Sequence, residues 1–357
     1  MCFAAIISKF ESLKMKKFLF IFPIIIYFTS CSVDPEIKPI ITNDDVKEIV
    51  PSGWPAPHYN FNNNPLTSDG FILGRSLFYD PLLSIDNTVS CGSCHQQFAA
   101  FSHSGHDVSH GIYGLLGNRN APALQNLNWN TTFMHDGGIL NIEVMPLGPI
   151  TNPVEMGETM TNVVSKISAS GKYKQLFTNA FGKDSVNSQL IFKAIAQFMG
   201  TMYSYNSKYD KVKSGKDIFS NQEQNGYSIF VQKCANCHIE PLFTNYEFKN
   251  NGLSVNIAYI DSGRAHITGN INDRFKFKTP SLRNIEKSGP YMHDGRFSTL
   301  DQCLNHYISG IVSSSTLDPQ LSGGISLTVS EKNDIIAFLK TLTDTKFLTD
   351  LKYSNPN

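Results

Sequence analysis

Two pentapeptides hold the residues best suited to chemistry: Cys91-Gly92-Ser93-Cys94-His95 and Cys234-Ala235-Asn236-Cys237-His238. In each, two thiols lie about one turn apart and can add to the two vinyl groups of a single haem. The neighbouring histidine is then held beneath the iron as the proximal ligand. A vicinal disulfide or a structural zinc site could use the same thiols. Neither requires a histidine after the second cysteine, and here that histidine occurs twice. The pattern points to two covalently bound haem c groups. Cys303 is left over as a buried structural thiol, and Cys2 precedes the expected start at Met15.

The motifs sit in a duplicated unit. Pro122-Ala123-Leu124-Gln125-Asn126 recurs as Pro280-Ser281-Leu282-Arg283-Asn284. Each is followed at the same interval by Met-His-Asp-Gly, from Met134 to Gly137 and from Met292 to Gly295. Shared order and spacing imply a tandem pair of domains, 58–205 and 206–357; two copies are too few for a solenoid.

The elements that must position these motifs read as helices. Leu190, Ile191, Ala194, Ile195, Phe198, Met199 and Met202 follow helical spacing. Ser220-x-x-Glu223 and Thr328-x-x-Glu331 are capping boxes; the first opens a helix running into Cys234, the second the last long helix. Between helices lie Gly/Asn/Pro-rich stretches, 96–130 and 239–280. Loops so long are uncommon without a task, and wrapping a haem is one. The expected fold is mainly α: two tandem cytochrome c-like haem domains with long haem-wrapping loops.

At 357 residues the chain has room for two domains, and 41% hydrophobic against 17% charged residues supports a sizeable core. The formal net charge is zero and no basic run stands out, which argues against nucleic acid as a partner. Met15-Lys16-Lys17 and the apolar run Phe18 to Phe28 form an export signal too short to span a bilayer. The run ends at Phe28-Thr29-Ser30-Cys31, which resembles a bacterial lipobox. Residues 1–30 are thus expected to be a lipoprotein-type signal peptide. A lipid on Cys31 would hold the protein at a membrane surface in the periplasm or cell envelope. Residues 31–57, with Pro35, Pro39, Pro51, Pro55 and Pro57, are expected to be a tether.

Beyond these patterns the sequence resembles the bacterial dihaem cytochrome c peroxidase family, which includes MauG-type dihaem oxidases. The resemblance covers most of 66–343. In the first half it rests on Leu73 to Pro81, Ser90 to His95, Arg119 to Pro122 and Gly148 to Met156. In the second it rests on Cys234 to His238, Thr279 to Asn284 and Pro290 to Arg296. It implies that the N-terminal haem is peroxidatic and that the C-terminal haem takes electrons from a small donor, a cytochrome c or cupredoxin. By its place in Pro153-Val154-Glu155-Met156, Glu155 is expected to be the distal acid–base residue. His110, with His103 and His106 as nearby competitors, is expected to cap the peroxidatic iron and to be displaced before turnover. Asn120, with the carbonyls of Ser288 and Pro290, would form a calcium site, all-oxygen as that ion prefers. A homodimer is one assembly the resemblance leaves open.

Three residues depart from the family pattern. His135 stands where peroxidases have a tryptophan between the haems, and neither Trp54 nor Trp129 fills that place. Met145 replaces a distal-pocket glutamine. Tyr307 takes the place of the methionine that binds the C-terminal iron, as in the MauG branch. The leading expectation is a peroxidase that reduces hydrogen peroxide to water. The alternatives are a MauG-type oxidase acting on a partner protein through high-valent iron, and a two-haem electron carrier without enzymatic activity. Glu155 in an intact motif favours an enzyme over the carrier, and Tyr307 keeps the oxidase in contention.

Overall fold

Two helix pairs, one in each half, organise the chain in this computed structural model, which describes residues 40–356 apart from 184. The export signal and Cys31 lie outside the described residues. In the first half, Ser68–Tyr79 packs against Ser188–Gly200; in the second, Asn221–Lys233 packs against Val329–Lys340. Each pair crosses at a glycine. A Cβ on Gly74 would lie 1.9 Å from the Ala194 carbonyl oxygen, and one on Gly226 would lie 1.9 Å from that of Asp334. Only glycine lets the backbones approach so closely. The duplication read from the motifs thus extends to helix packing.

Local chemistry starts the second pair where the sequence predicts. The Ser220 hydroxyl accepts from the Glu223 N–H while the Glu223 carboxylate accepts from the Ser220 N–H, and Thr328 and Glu331 repeat the arrangement. Asn187 caps Ser188–Gly200, whose inner face buries Ile191, Ala194, Ile195 and Phe198 completely. Elsewhere the chain is mostly turns and short helices, as expected of loops wrapped around cofactors. The one regular β pairing among the described residues is Phe248–Lys249 antiparallel to Phe277–Lys278. No described helix is long and apolar enough to cross a membrane.

Two apolar cores follow the two halves, one built around Phe71, Phe78, Phe101 and Phe198, the other around Phe230, Phe243 and Phe338. The C-terminal tail belongs to the first. Phe347, Leu348 and Tyr353 pack there, and Arg75 and Tyr79 donate to the Lys352 and Tyr353 carbonyls at 2.8 and 2.7 Å. The tether expected over 31–57 needs correction in its described part. Val46 is buried in the first core, and Ile49 and Trp54 pack against Trp129, Tyr203 and Leu242. Trp129 donates its indole N–H to the Pro55 carbonyl at 2.8 Å. Its apolar side chains have surface to bury, so the segment is docked.

Equivalent residues of the repeat meet at the seam. Asn126 and Asn284, both in the left-handed region, donate their amides to the Ser204 carbonyl and hydroxyl, each at 3.0 Å. Arg283 is fully buried, forms a fork to Asp210 at 2.9 and 2.8 Å, and lies 4.5 Å from the Trp54 ring. Its donors are matched to a carboxylate and to the Pro241 and Ser204 carbonyls, as a buried guanidinium requires.

Candidate haem-binding sites and their junction

Each C-x-x-C-H motif forms one helical turn that ends in its histidine. The His95 N–H bonds to the Cys91 carbonyl at 2.9 Å, and the His238 N–H bonds to that of Cys234 at 3.0 Å. The imidazoles are oriented alike. His95 Nδ1 lies 2.6 Å from the Phe101 carbonyl oxygen and His238 Nδ1 lies 3.0 Å from that of Phe243. A carbonyl can only accept, so Nδ1 carries the proton and Nε2 keeps its lone pair, as a proximal iron ligand requires. Burial lowers both histidine pKa values, favouring the neutral form that binds metal.

The surroundings suit haem attachment. Burial holds the thiols protonated, Cys91 and Cys234 at about 12 and Cys94 at about 11, unlike redox-active cysteines. Among the described residues no group of three or more His, Cys, Asp or Glu is placed to hold a metal ion directly. His103, beside the first motif, is buried with an Nδ1 that has no protein partner, a polar atom left for a bound group.

The structure brings Glu155 and the His110 segment to the first motif. The Cys94 thiol lies 3.5 Å from the His110 carbonyl, and the Ile112 N–H donates to the Glu155 carbonyl at 2.8 Å. Glu155 lies on the turn after Leu147–Thr151, where the Glu155 and Gly157 N–H groups bond to the Asn152 carbonyl. The Asn152 amide donates to the Glu155 carboxylate at 3.1 Å. Burial raises the Glu155 pKa, partly offset by this bond, and the carboxylate's charge is felt at both Cys91 and Cys94. A carboxylate can take up and return a proton, and the upward shift helps it hold one. The His110 side chain is exposed, with its ring 4.3 Å from that of His106 and 5.7 Å from that of His103. Met145 is half-buried against the first core.

Tyr307 reaches the second motif. The helix Leu300–Asn305 continues as a π-type turn over His306–Gly310, so the helix changes pitch next to this residue; π turns often mark functional sites. Burial pushes the phenol up to about 12, and its oxygen feels both Cys234 and Cys237. Only a strong local cation would ionise it. Two neighbouring side chains, His306 and Met292, also have atoms that could bind iron: His306 is engaged through Nε2 with the Asn251 carbonyl at 2.9 Å, whereas the Met292 sulfur lies near the Asn251 amide with the phenol.

Between the motifs, His135 and His293, equivalent residues of the repeat, converge on Asn120. The His135 Nε2–H donates to the Asn120 carbonyl at 2.9 Å and the Asn120 N–H donates to the His293 carbonyl at 2.7 Å. The His293 ring stacks on Phe277 at 3.8 Å. Burial, with Arg119, His293 and Lys278 nearby, lowers the His135 pKa to about 4, so its ring is neutral. The Asn120 amide donates to the carbonyls of His106 and Asp107 at 3.2 and 3.1 Å. No hydrogen bond among the described residues joins Asn120 to Ser288 or Pro290. The roles of Asn152 and Asn251 have no signature in the sequence, because both depend on contacts that only the folded chain creates.

Two cytochrome c-like units, each offering two thiols and an oriented imidazole, define a protein built to carry two haems. Comparison with known proteins agrees. The family model described as di-haem cytochrome c peroxidase matches residues 68–218. The methylamine utilization protein MauG of Methylorubrum extorquens is 35% identical over 286 residues, covering 78% of this chain and 79% of its own. The cytochrome c551 peroxidase of Nitrosomonas europaea is 34% identical over 299 residues, covering 78% and 81%. A crystal structure of a MauG-like protein associated with microbial copper homeostasis is 32% identical, with a TM-score of 0.78 over 86% of this chain and 98% of that one. The chain belongs to the dihaem cytochrome c peroxidase family, an oxidoreductase family that binds haem c, and its relatives include both peroxidases and MauG proteins.

Proposed function

We propose that the protein reduces hydrogen peroxide: one peroxide, two electrons and two protons give two waters. A small redox protein, a cytochrome c or cupredoxin, supplies the electrons through the second half. The haems, when bound, supply the iron that receives peroxide and the centre that receives the donor's electrons. His95 and His238 would hold the irons through Nε2. Glu155 moves the proton from one peroxide oxygen to the other, and the His110 loop controls access beside it. The observation that carries this reading is Glu155 itself, a half-buried carboxylate fixed by Asn152 next to the first motif. A two-haem electron carrier has no use for it.

One observation favours the MauG-type oxidase as a second reading: Tyr307 lies at the second motif, and a tyrosinate would lower that haem's potential relative to a methionine. Identities of 35% and 34% to a MauG protein and a peroxidase do not separate the two. Peroxide turnover by the pure holoprotein with a reduced cytochrome c or cupredoxin tests the proposal. Rapid donor oxidation supports the peroxidase. Slow or absent oxidation with a long-lived oxidised haem spectrum selects the oxidase, and no reaction with peroxide selects the carrier.

The reading includes export to the periplasm or cell envelope and a lipid on Cys31. Cys31→Ala would release the protein into the soluble exported fraction, and unchanged membrane association would remove the anchor.

A further inference from the structure

The second motif has two candidate iron ligands where one is needed, and a single side chain touches both. Asn251 Nδ2 lies 3.4 Å from the Tyr307 phenol oxygen and 3.5 Å from the Met292 sulfur. An amide nitrogen carries two hydrogens, so it can donate to both acceptors at once.

Asn251 is firmly mounted. Its carbonyl accepts from His306 Nε2 at 2.9 Å, tying it to the residue before Tyr307. Asn250 donates its amide to the hydroxyls of Ser314 and Thr316 at 3.1 and 2.9 Å, and its carbonyl accepts from the Asp318 N–H at 3.0 Å. On the other side, the Gly252 carbonyl accepts from the Val312 N–H at 2.8 Å. The loop carrying Asn251 is therefore strapped to the segment that follows Tyr307. Met292 is held by its own backbone, in the left-handed region at φ 73°.

We propose that Asn251 is the positioning residue that selects between Tyr307 and Met292 as ligand to the second haem's iron. The proposal rests on the reading that Tyr307 is that ligand. One N–H supports the oxygen, stabilising it as an anion once it is bound to ferric iron, because bonds to charged acceptors are the strong ones. The other holds the thioether sulfur, a weak acceptor easily lost to a better competitor. With both N–H groups removed, the phenolate loses its support and the sulfur is free. The flexible Met292 side chain then competes for the iron, most strongly in the ferrous state, which a thioether favours.

The experiment uses holoprotein with both haems attached. Ligand signatures are read by resonance Raman and electronic spectra, and the second haem's potential by redox titration. In wild type a phenolate-to-ferric signature is expected. Asn251→Leu, similar in size but without donors, should acquire a methionine-bound component. Its ferrous-to-ferric ratio at a fixed potential should rise at least tenfold, about 59 mV for one electron. Adding Met292→Leu to that variant should restore the phenolate signature. Asn251→Asp, which also lacks the donors, replaces Asn251→Leu if the latter does not accumulate. A wild-type spectrum and potential in the Asn251 variant, or a methionine signature that survives the Met292→Leu addition, would overturn the proposal. Loss of the underlying reading shows separately: wild type would lack the phenolate signature and Tyr307→Phe would leave the spectrum unchanged.

Discussion

Arg119 of the first half grips Asp261 of the second with a two-pronged bond, Nε to Oδ2 at 2.6 Å and Nη2 to Oδ1 at 2.9 Å. Its remaining arm reaches Asp136 at 2.6 Å, within the Met-His-Asp-Gly element of its own half. Both carboxylates are nearly buried, so neither gains much from water if the guanidinium is lost. Arg119→Leu should cost about 3–5 kcal/mol, the range for leaving a buried charge unpaired. Arg119→Lys should cost less, because it keeps the charge and loses the fork. Burial raises the Asp261 pKa, but Arg119 more than compensates and holds it below the usual value. The stability it adds is full above the unfolded carboxylate pKa and disappears as pH falls through the folded one. Denaturant unfolding of the holoprotein should therefore show the wild-type advantage at neutral pH and its shrinkage in acid. A constant difference across that window would place the effect in packing.

For Glu155 the sign runs the other way. Burial raises its pKa, so it keeps its proton to higher pH than an ordinary carboxylate. As a proton acceptor it is inactive below that pKa, and the acid limb of peroxide turnover should lie above the usual carboxylate range. Glu155→Gln should reduce turnover by about 10²–10⁴-fold and abolish that limb. Both haems should stay attached, since no thiol or imidazole ligand is changed. Steady-state rates across pH, with haem content measured on the same samples, check both statements.

The two attachment sites should fail independently. Each histidine is fixed within its own half, His95 by the Phe101 carbonyl and His238 by the Phe243 carbonyl. Cys94→Ala should impair haem attachment in the first half alone, and Cys237→Ala in the second alone. Intact mass and haem content of each purified variant report this directly. Loss of both haems from either variant would mean that the halves mature as one unit.

What could be read from sequence was local. Ser220 with Glu223, Thr328 with Glu331, and the Cys-Cys-His turns are fixed by residues within a few positions of one another, and the structure has them where the spacing places them. Contacts between distant segments had no such signal. Nothing near Tyr353 says that the tail returns to the first core, or near Trp54 that a proline-rich stretch docks under Arg283. Tyr307 shows the boundary between the two cases. Its place in the motif marks it as a ligand candidate, whereas the π turn and the Asn251 contact arise only when residues 250–252 pack against 306–318.

His135 supplies the last test, because the resemblance places it where peroxidases of the family have a tryptophan. A neutral imidazole is smaller than an indole and far harder to oxidise, so this residue is a poor stepping stone for charge. What the structure offers instead is continuity. The ring donates to the Asn120 carbonyl at 2.9 Å, and the Asn120 N–H donates to the His293 carbonyl at 2.7 Å, so two hydrogen bonds and one residue connect the halves. His135→Phe keeps a flat ring but breaks the first bond and leaves the Asn120 carbonyl without that donor. It should cost about 1–3 kcal/mol of stability and slow electron transfer between the haems. His135→Trp should speed transfer if its indole N–H finds the same carbonyl, since it adds an oxidisable ring to the path. Rapid reduction of the second haem, followed by the spectrum of the first, measures both variants. Equal rates in wild type and His135→Phe would show that electrons cross the junction by another route, with the Phe277–His293 stack the next group to alter.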